Sequence, residues 1–488
     1  MTSAFDPHGP PARALLDDCV HCGFCLPTCP TYQLWGEEMD SPRGRIYLMD
    51  LAEKGEIGLA GALHEHIDAC LGCMACVTSC PSGVRYDRLL AAVRPQLERN
   101  VPRTRADRLF RGAIFALFPH RGRLRAAAVP AALYQRLRAR PAGDRRFSRF
   151  SLRFRGPAAA IADQPPTCKL PARLAAVLPA RLAAVLPAQL AAVLPAQLAA
   201  VLPAQLAAVL PARLAAVESL LPPVRLRDAF ARLPARIPAT GATRLRVALL
   251  SGCVQDVFFH QVNLATVRVL AAEGCEVLVP RGQGCCGALE LHSGQEPSAL
   301  ARAKRTIGVF ERLSVDAIVT NVAGCGSSMK EYGQLLADDL EWAERAATFS
   351  ARVKDVHEVL ASLEPVAPRH PIRARVAYHD ACHLAHAQGV RAQPRAVLRT
   401  IPELELVEVA ESELCCGSAG IYNLVAPDAA AELGTRKAAN VQAATPDLVA
   451  TANAGCLLQI RRHLKPGTPL LHPVQLLDAS IRGIAPTS

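Results

Sequence analysis

Two cysteine runs constrain this chain more than any other feature. Cys19-Val-His-Cys22-Gly-Phe-Cys25-Leu-Pro-Thr-Cys29-Pro30 and Cys70-Leu-Gly-Cys73-Met-Ala-Cys76-Val-Thr-Ser-Cys80-Pro81 share the spacing C-x2-C-x2-C-x3-C-P. Three closely spaced thiolates wrap three irons of one cubane, and the fourth, after a longer step, reaches the other cluster. The proline then stops the chain from turning back as helix. The spacing predicts two [4Fe–4S] clusters. One is held by Cys19, Cys22, Cys25 and Cys80, the other by Cys70, Cys73, Cys76 and Cys29. Structural zinc prefers two separated ligand pairs, and the tight triplet does not suit it. Two clusters held this way lie close enough to conduct electrons.

The remaining cysteines must be read with their compartment in mind. The chain has 488 residues and 18 cysteines, and its first residues carry no apolar h-region. No secretory signal is expected, so the thiols belong in a reducing cytoplasm as metal ligands or redox groups rather than disulfides. Apolar residues at 51% and charged residues at 20% exclude a disordered or fibrous chain. Aromatics at 5% leave little for stacking on nucleic acid, and no recognition motif is present, so no nucleic-acid partner is expected.

The positive balance, 55 Lys and Arg against 43 Asp and Glu, is concentrated. Residues 99–155 hold 16 arginines against Asp107 and Asp144. Interleaved apolar residues predict short basic amphipathic helices broken at Pro119, Pro130 and Pro141. Such a segment is either a solvated face or a contact with an acidic partner or an anionic membrane surface, the latter a peripheral one on the cytoplasmic face of the inner membrane. Residues 170–217 are six copies of Leu-Pro-Ala-(Arg/Gln)-Leu-Ala-Ala-Val. Leu182 to Ala212 carries no charge, but a proline in every octad breaks the ladder that lipid demands. A low-complexity linker of kinked helical turns is expected, with no chemistry of its own.

From residue 240 strands and helices alternate, which predicts parallel sheets covered by helices. Strands are expected at 245–250, 276–279, 317–322, 375–379, 404–409 and 448–452, and helices at 260–273, 297–312, 326–340, 426–444 and 456–463. This region is a duplication. Cys253, Cys285, Cys286 and Cys325 recur as Cys382, Cys415, Cys416 and Cys456 at offsets of 129, 130, 130 and 131 residues. Asn321-Val-Ala-Gly-Cys325 parallels Asn453-Ala-Gly-Cys456. The first cysteine of each module ends a strand, the pair lies in a loop after a strand, and the last opens a helix. All four therefore converge at the carboxyl edge of a sheet, where such folds bind ligands. Gly287 and Gly417 let the backbone pass close to a bulky centre. These eight cysteines are candidate ligands of further iron–sulfur clusters; zinc, a redox disulfide and buried free thiols are the competing readings. His379 and His383 flank Cys382 without counterparts in the first module, and Cys168 and Cys275 read as structural.

The fold class is α/β: a small N-terminal α-helical bacterial ferredoxin-type domain followed by duplicated parallel-sheet Cys-Cys-Gly modules. The expected divisions are 1–100 for the tandem [4Fe–4S] domain, 101–167 for a basic helical connector and 168–222 for the octad repeat. The two Cys-Cys-Gly domains occupy 240–365 and 370–485.

This arrangement resembles the iron–sulfur subunits of glycolate oxidase and, less closely, those of lactate-utilisation and anaerobic glycerol-3-phosphate dehydrogenase complexes and the Cys-Cys-Gly subunit of heterodisulfide reductase. The resemblance is carried by the two cysteine runs, Cys29-Pro-Thr-Tyr-Gln-Leu-Trp-Gly36, Ser41-Pro-Arg-Gly-Arg-Ile-Tyr-Leu48, Cys80-Pro-Ser-Gly-Val-Arg-Tyr86, Lys330-Glu-Tyr-Gly-Gln334 and Leu414-Cys-Cys-Gly-Ser-Ala-Gly420. It spans about residues 10–100 and 240–480 and omits the octads. It implies an oxidoreductase subunit that receives electrons from FAD-containing glycolate dehydrogenase subunits and passes them towards a quinone-type membrane acceptor. In heterodisulfide reductase each module ends in a further cysteine two residues on. Here Gly-Ser-Ser follows Cys325 and Leu-Leu-Gln follows Cys456, which leaves four thiolates per module.

No flavin or nicotinamide motif is present, so oxidation of the hydroxy acid is expected on a partner and no catalytic residue is assigned here. A thiol–disulfide enzyme acting through Cys415 and Cys416, and a basic scaffold with clusters as structure, are the competing functions.

Overall fold

The computed structural model describes residues 2–138 and 204–486. Cys168, Pro141, Asp144 and most of the octads lie outside the described residues.

The N-terminal unit is helical. Its longest helices, Pro42–Glu53 and Tyr86–Asn100, close a core of Ile46, Met49, Leu63, Ile67, Leu89 and Val93 beneath the cysteine loops. Ser41 caps the first of these by accepting from the Gly44 N–H, with Pro42 at the first helical position.

The C-terminal half holds two sheets. β1 (Arg236–Ile237), β2 (Leu245–Leu249), β3 (Cys275–Leu278), β4 (Ala317–Thr320) and β5 (Val353–Asp355) lie in the order β1-β3-β2-β4-β5. β6 (Ala374–His379), β7 (Leu404–Val407), β8 (Leu448–Thr451) and β9 (Leu470–Leu471) lie in the order β7-β6-β8-β9. The duplication is thus topological as well as sequential. β3-β2-β4-β5 and β7-β6-β8-β9 have the same connectivity, and all their pairings are parallel. One feature departs from the expected all-parallel sheet: β1 pairs antiparallel on the edge of β3. Two residues carry too little periodicity to be read as a strand.

Several predicted breaks are absent. The helix Arg121–Arg138 runs through Pro130. The ring costs one ladder bond, but Ala126, which loses it, is exposed to water, and Leu124, Ala128 and Ala132 hold the helix against the first module. The end of the repeat is likewise one helix, Ala204–Leu220, continuous across Pro211 rather than kinked turns. Pro119 does separate helices Arg105–Leu117 and Arg121–Arg138. The helix expected over 326–340 is instead two, Ala323–Lys330 and Tyr332–Leu335.

The two modules share one hydrophobic core. The helix His260–Ala272 packs on the helix Pro473–Arg482, and Arg268 pairs with Asp478 at 2.5 Å. Asn321 ties the seam. Its side-chain amide donates within the first module to Asn263 at 2.9 Å and Thr266 at 2.8 Å, and its backbone carbonyl meets His472 Nε2 of the second module at 2.9 Å. Asn321→Ala leaves the Asn263 and Thr266 oxygens without this donor and the Gln255 amide without its acceptor, which costs about 1–3 kcal/mol each. We expect a lower midpoint in a thermal scan with unchanged helix content by circular dichroism.

Candidate functional site

The N-terminal thiols gather around two cavities. Cys19, Cys22, Cys25 and Cys80 line one of about 30 Å³, with Cys76 also on its wall. Cys29, Cys70, Cys73 and Cys76 line the other, of about 20 Å³. Local backbone makes these loops. The residues on either side of the second cysteine are left-handed in both runs: His21 and Gly23 around Cys22, Gly72 and Met74 around Cys73. That reversal lets the chain wrap a centre and turns N–H groups towards sulfur, as the Gly72 N–H does towards Cys70 at 3.4 Å.

The two cavities differ in setting. Cys22 is exposed and Cys19, Cys25 and Cys80 are half-buried, whereas Cys29, Cys70, Cys73 and Cys76 are buried. Burial pushes the Cys25 thiol up to about 11. Burial also opposes ionisation of Cys70, but Arg45, Arg94 and the Tyr86 hydroxyl outweigh it and the net shift is downward. Arg45 is 1% exposed. It donates to the His66 carbonyl at 2.6 Å, Thr31 at 3.0 Å and Asp40 at 3.1 Å, and it stands 3.8 Å from Cys29 Sγ. A guanidinium held so deep favours negative charge on the inner thiolates.

The Cys-Cys-Gly thiols lie just beyond strand ends rather than on them. Cys253 precedes the helix Val254–Phe258, and Cys382 precedes the π-helical turn His383–Ala387. Cys285 and Cys286 follow β3, Cys415 and Cys416 follow β7, and Cys325 and Cys456 sit in the first turns of the helices Ala323–Lys330 and Ala454–His463. Within each module this is the switch point, between β2 and β4 in the first sheet and between β6 and β8 in the second. Cys253 and Cys285 approach to 3.5 Å. Tyr332 anchors the first pair by donating its hydroxyl to the Cys286 carbonyl at 2.5 Å. Gly287 and Gly417 are needed for another reason than the expected one. Both have left-handed φ, and a side chain at Gly417 would meet the Ala430 carbonyl at 2.6 Å, so the limit is a packed helix.

The modules are not equivalent. His379 lies with Cys416 and Cys456 in a group whose ligand atoms fall within 4.8 Å of one another, and His383 Nδ1 is 3.5 Å from Cys382 Sγ. Leu250 stands at the position matching His379 in the first module. Cys275 sits fully buried in β3, away from both groups, with its thiol pushed up to about 11 by burial.

Between the modules the two Ala-Gly-Cys turns, Ala323–Cys325 and Ala454–Cys456, face each other. The Ala323 N–H donates to the Ala452 carbonyl at 3.1 Å, and the Gly324 N–H lies 3.5 Å from Asn453 Oδ1. All eight Cys-Cys-Gly thiols therefore line a single cavity. Sequence reasoning missed the other walls: Leu117, Phe118 and Leu124 from the connector, Val217 and Leu220 from the end of the repeat, and His292. Their signal was only amphipathicity in segments read as linkers.

These sites match known families. Residues 15–84 match the 4Fe-4S dicluster domain, residues 247–330 and 376–461 the cysteine-rich domain, and residues 106–142 the linker region of the glycolate oxidase iron-sulfur subunit. A probable glycolate oxidase iron-sulfur subunit of Bacillus subtilis is 35% identical over 91% of this chain and 88% of its own. The chain belongs to the glycolate oxidase iron–sulfur subunit family. The subunit of Escherichia coli is 32% identical over 96% of this chain and 95% of its own. A lactate utilization protein A of Shouchella clausii is 30% identical over 44% of this chain and 90% of its own. The chain is thus an iron–sulfur oxidoreductase subunit of that family, and the crowded thiols fit such clusters. Among the described residues no helix is long and apolar enough to cross a membrane.

Replacing Arg45 with Gln removes the positive charge beside Cys29. We expect one iron–sulfur signal in an anaerobic EPR titration to shift negative by on the order of 100 mV while the others stay in place.

Proposed function

We propose that this chain carries electrons from glycolate, oxidised to glyoxylate on a separate FAD-containing subunit, towards a quinone at the membrane. Residues 1–100 form the receiving part, with two [4Fe–4S] clusters on Cys19, Cys22, Cys25, Cys80 and on Cys70, Cys73, Cys76, Cys29. Residues 240–365 and 370–485 are the delivering part, with further clusters on the eight Cys-Cys-Gly cysteines. Such clusters, when bound, supply one-electron carriers. The observation that carries the reading is graded burial along a contact. The thiols run from exposed Cys22 to buried Cys73, and Leu71, Cys73 and Ala75 pack into one apolar group with Cys382 and Cys415. Thr78 Oγ1 pins this contact at 2.8 Å from His386 Nδ1.

Both ends suit their partners. Around the outer thiols Val20, Phe24 and Tyr47 are exposed, an apolar rim for the flavoprotein to cover. At the far end, Arg103 and Arg111 of the basic segment are held by Asp68 and Asp107. Arg105, Arg108, Arg123 and Arg136 are exposed, alongside Val129, Leu133 and Leu137 at helical spacing on one face. Arginines flanking an apolar stripe suit anionic lipid at the cytoplasmic face of the membrane. The lactate-utilization relatives support a second reading, in which the partner oxidises lactate.

Four measurements test this. The purified complex should reduce an artificial dye with glycolate and not with lactate or glycerol 3-phosphate; the reverse preference would name the second reading. Cys73→Ser should abolish that reduction and lower iron content by about one cluster. Phe24→Asp should weaken capture of the flavoprotein subunit at least tenfold. Vesicles with phosphatidylglycerol should co-sediment the chain, vesicles of phosphatidylcholine should not, and Leu133→Asp should release it.

A further inference from the structure

The cavity between the modules is larger than its thiols require. It measures about 300 Å³, against about 30 and 20 Å³ for the two N-terminal thiol cavities. Two four-thiolate sites of that kind fill a small part of it. The remaining wall is apolar, contributed by the connector helices, the helix that ends the repeat, and Leu289, Ile421 and Leu424. Among the described residues no aspartate, glutamate, lysine or arginine lines it. Its polar groups are few, and three are unpaired: Gln255 Oε1, His292 Nε2 and His383 Nε2 have no hydrogen-bond partner. Gln255 is 3% exposed and His383 9%, and the His292 and His383 rings stand 4.7 Å apart. Buried polar atoms left unpaired in an apolar cavity are costly unless a ligand satisfies them.

We propose that this cavity is a quinone site, roofed by the connector helices and placed between the two sets of Cys-Cys-Gly thiols. The proposal rests on the electron-transfer reading above and gives its acceptor a location. A wall with no carboxylate, ammonium or guanidinium admits an uncharged ring and disfavours a dinucleotide or a charged disulfide, whose anionic groups would find no fixed cation beside the thiolates. A quinone needs hydrogen-bond donors only at its two carbonyl oxygens, which His292 Nε2 and His383 Nε2 supply when protonated, and Gln255 Oε1 accepts from a hydroxyl once the quinol forms. The balance closes. A hydroxy acid gives up two electrons and two protons on becoming an oxo acid, and a quinone takes up two of each to leave as quinol. The outer sides of the same helices carry the exposed arginine and leucine rows, so the roof of the cavity is also the surface suited to lipid.

The test uses the full-length chain in its purified complex. A photoreactive azido-ubiquinone with a short side chain should label peptides within 105–138, 212–222 and 287–292, and decylubiquinone should protect them. Labelling needs no hydroxy acid, so it decides the site even if glycolate fails to drive dye reduction, which would overturn the substrate reading alone. Ala127 and Ala131 are small, half-buried wall residues. Ala127→Trp and Ala131→Trp should raise the KM for decylubiquinone at least tenfold with iron content unchanged. His292→Leu should do the same, with partial recovery in His292→Gln. Labelling confined to other peptides, protection by an organic disulfide but not by decylubiquinone, or an unchanged KM in the iron-replete Trp variants would overturn the proposal.

Discussion

The backbone contact between two copies of one turn organises this molecule. Each module carries its last thiol on an Ala-Gly-Cys turn at the carboxyl edge of its sheet. The Ala323 N–H donates to the Ala452 carbonyl, so the two edges meet front to front. A parallel sheet concentrates helix N-termini and loop ends at that edge. Joining two such edges converts two surface sites into one enclosed space. The shared core, the Arg268–Asp478 pair and the contact of His472 Nε2 with the Asn321 backbone carbonyl hold the edges together.

Everything around that space follows from the need to cover it. The apolar faces of the connector helices and of the helix Ala204–Leu220 would be unstable in water; laid over the cavity they bury Ile114, Leu124, Ala216 and Leu220. Ion pairs fix them, with Arg125 on Asp256 at 2.9 Å and Arg213 on Asp107 at 3.0 Å. The basic segment therefore has two jobs, and part of its charge is structural.

The N-terminal unit shows the same economy at smaller scale. Arg45 is buried because Asp40, Thr31 and the His66 carbonyl satisfy it, and its remaining nitrogen faces Cys29. A buried cation kept in place by neutral and anionic partners is a fixed field on the inner thiols. The outer thiols have Arg43 at the surface instead, where water screens it.

The cysteine runs, the duplication and the strand order along the chain were legible without coordinates, because thiolate spacing and alternating periodicities are local properties. Six strands and most helices lie within a residue or two of where the pattern placed them. What local pattern cannot carry is the meeting of distant faces. The short strands β1, β5 and β9 carry too few residues to show a period, and pairing together with burial of Val353, Leu470 and Leu471 holds the last two. Pro130 and Pro211 read as breaks because propensity ignores the packing that outweighs one lost hydrogen bond. His292 had no motif to mark it, and the cavity it lines exists only where two modules and three helices close on one another. The sequence by itself determined which thiols are candidate metal ligands; tertiary structure decided how buried each set is, which set touches which, and what space lies between them, since burial and contact arise from packing and not from spacing.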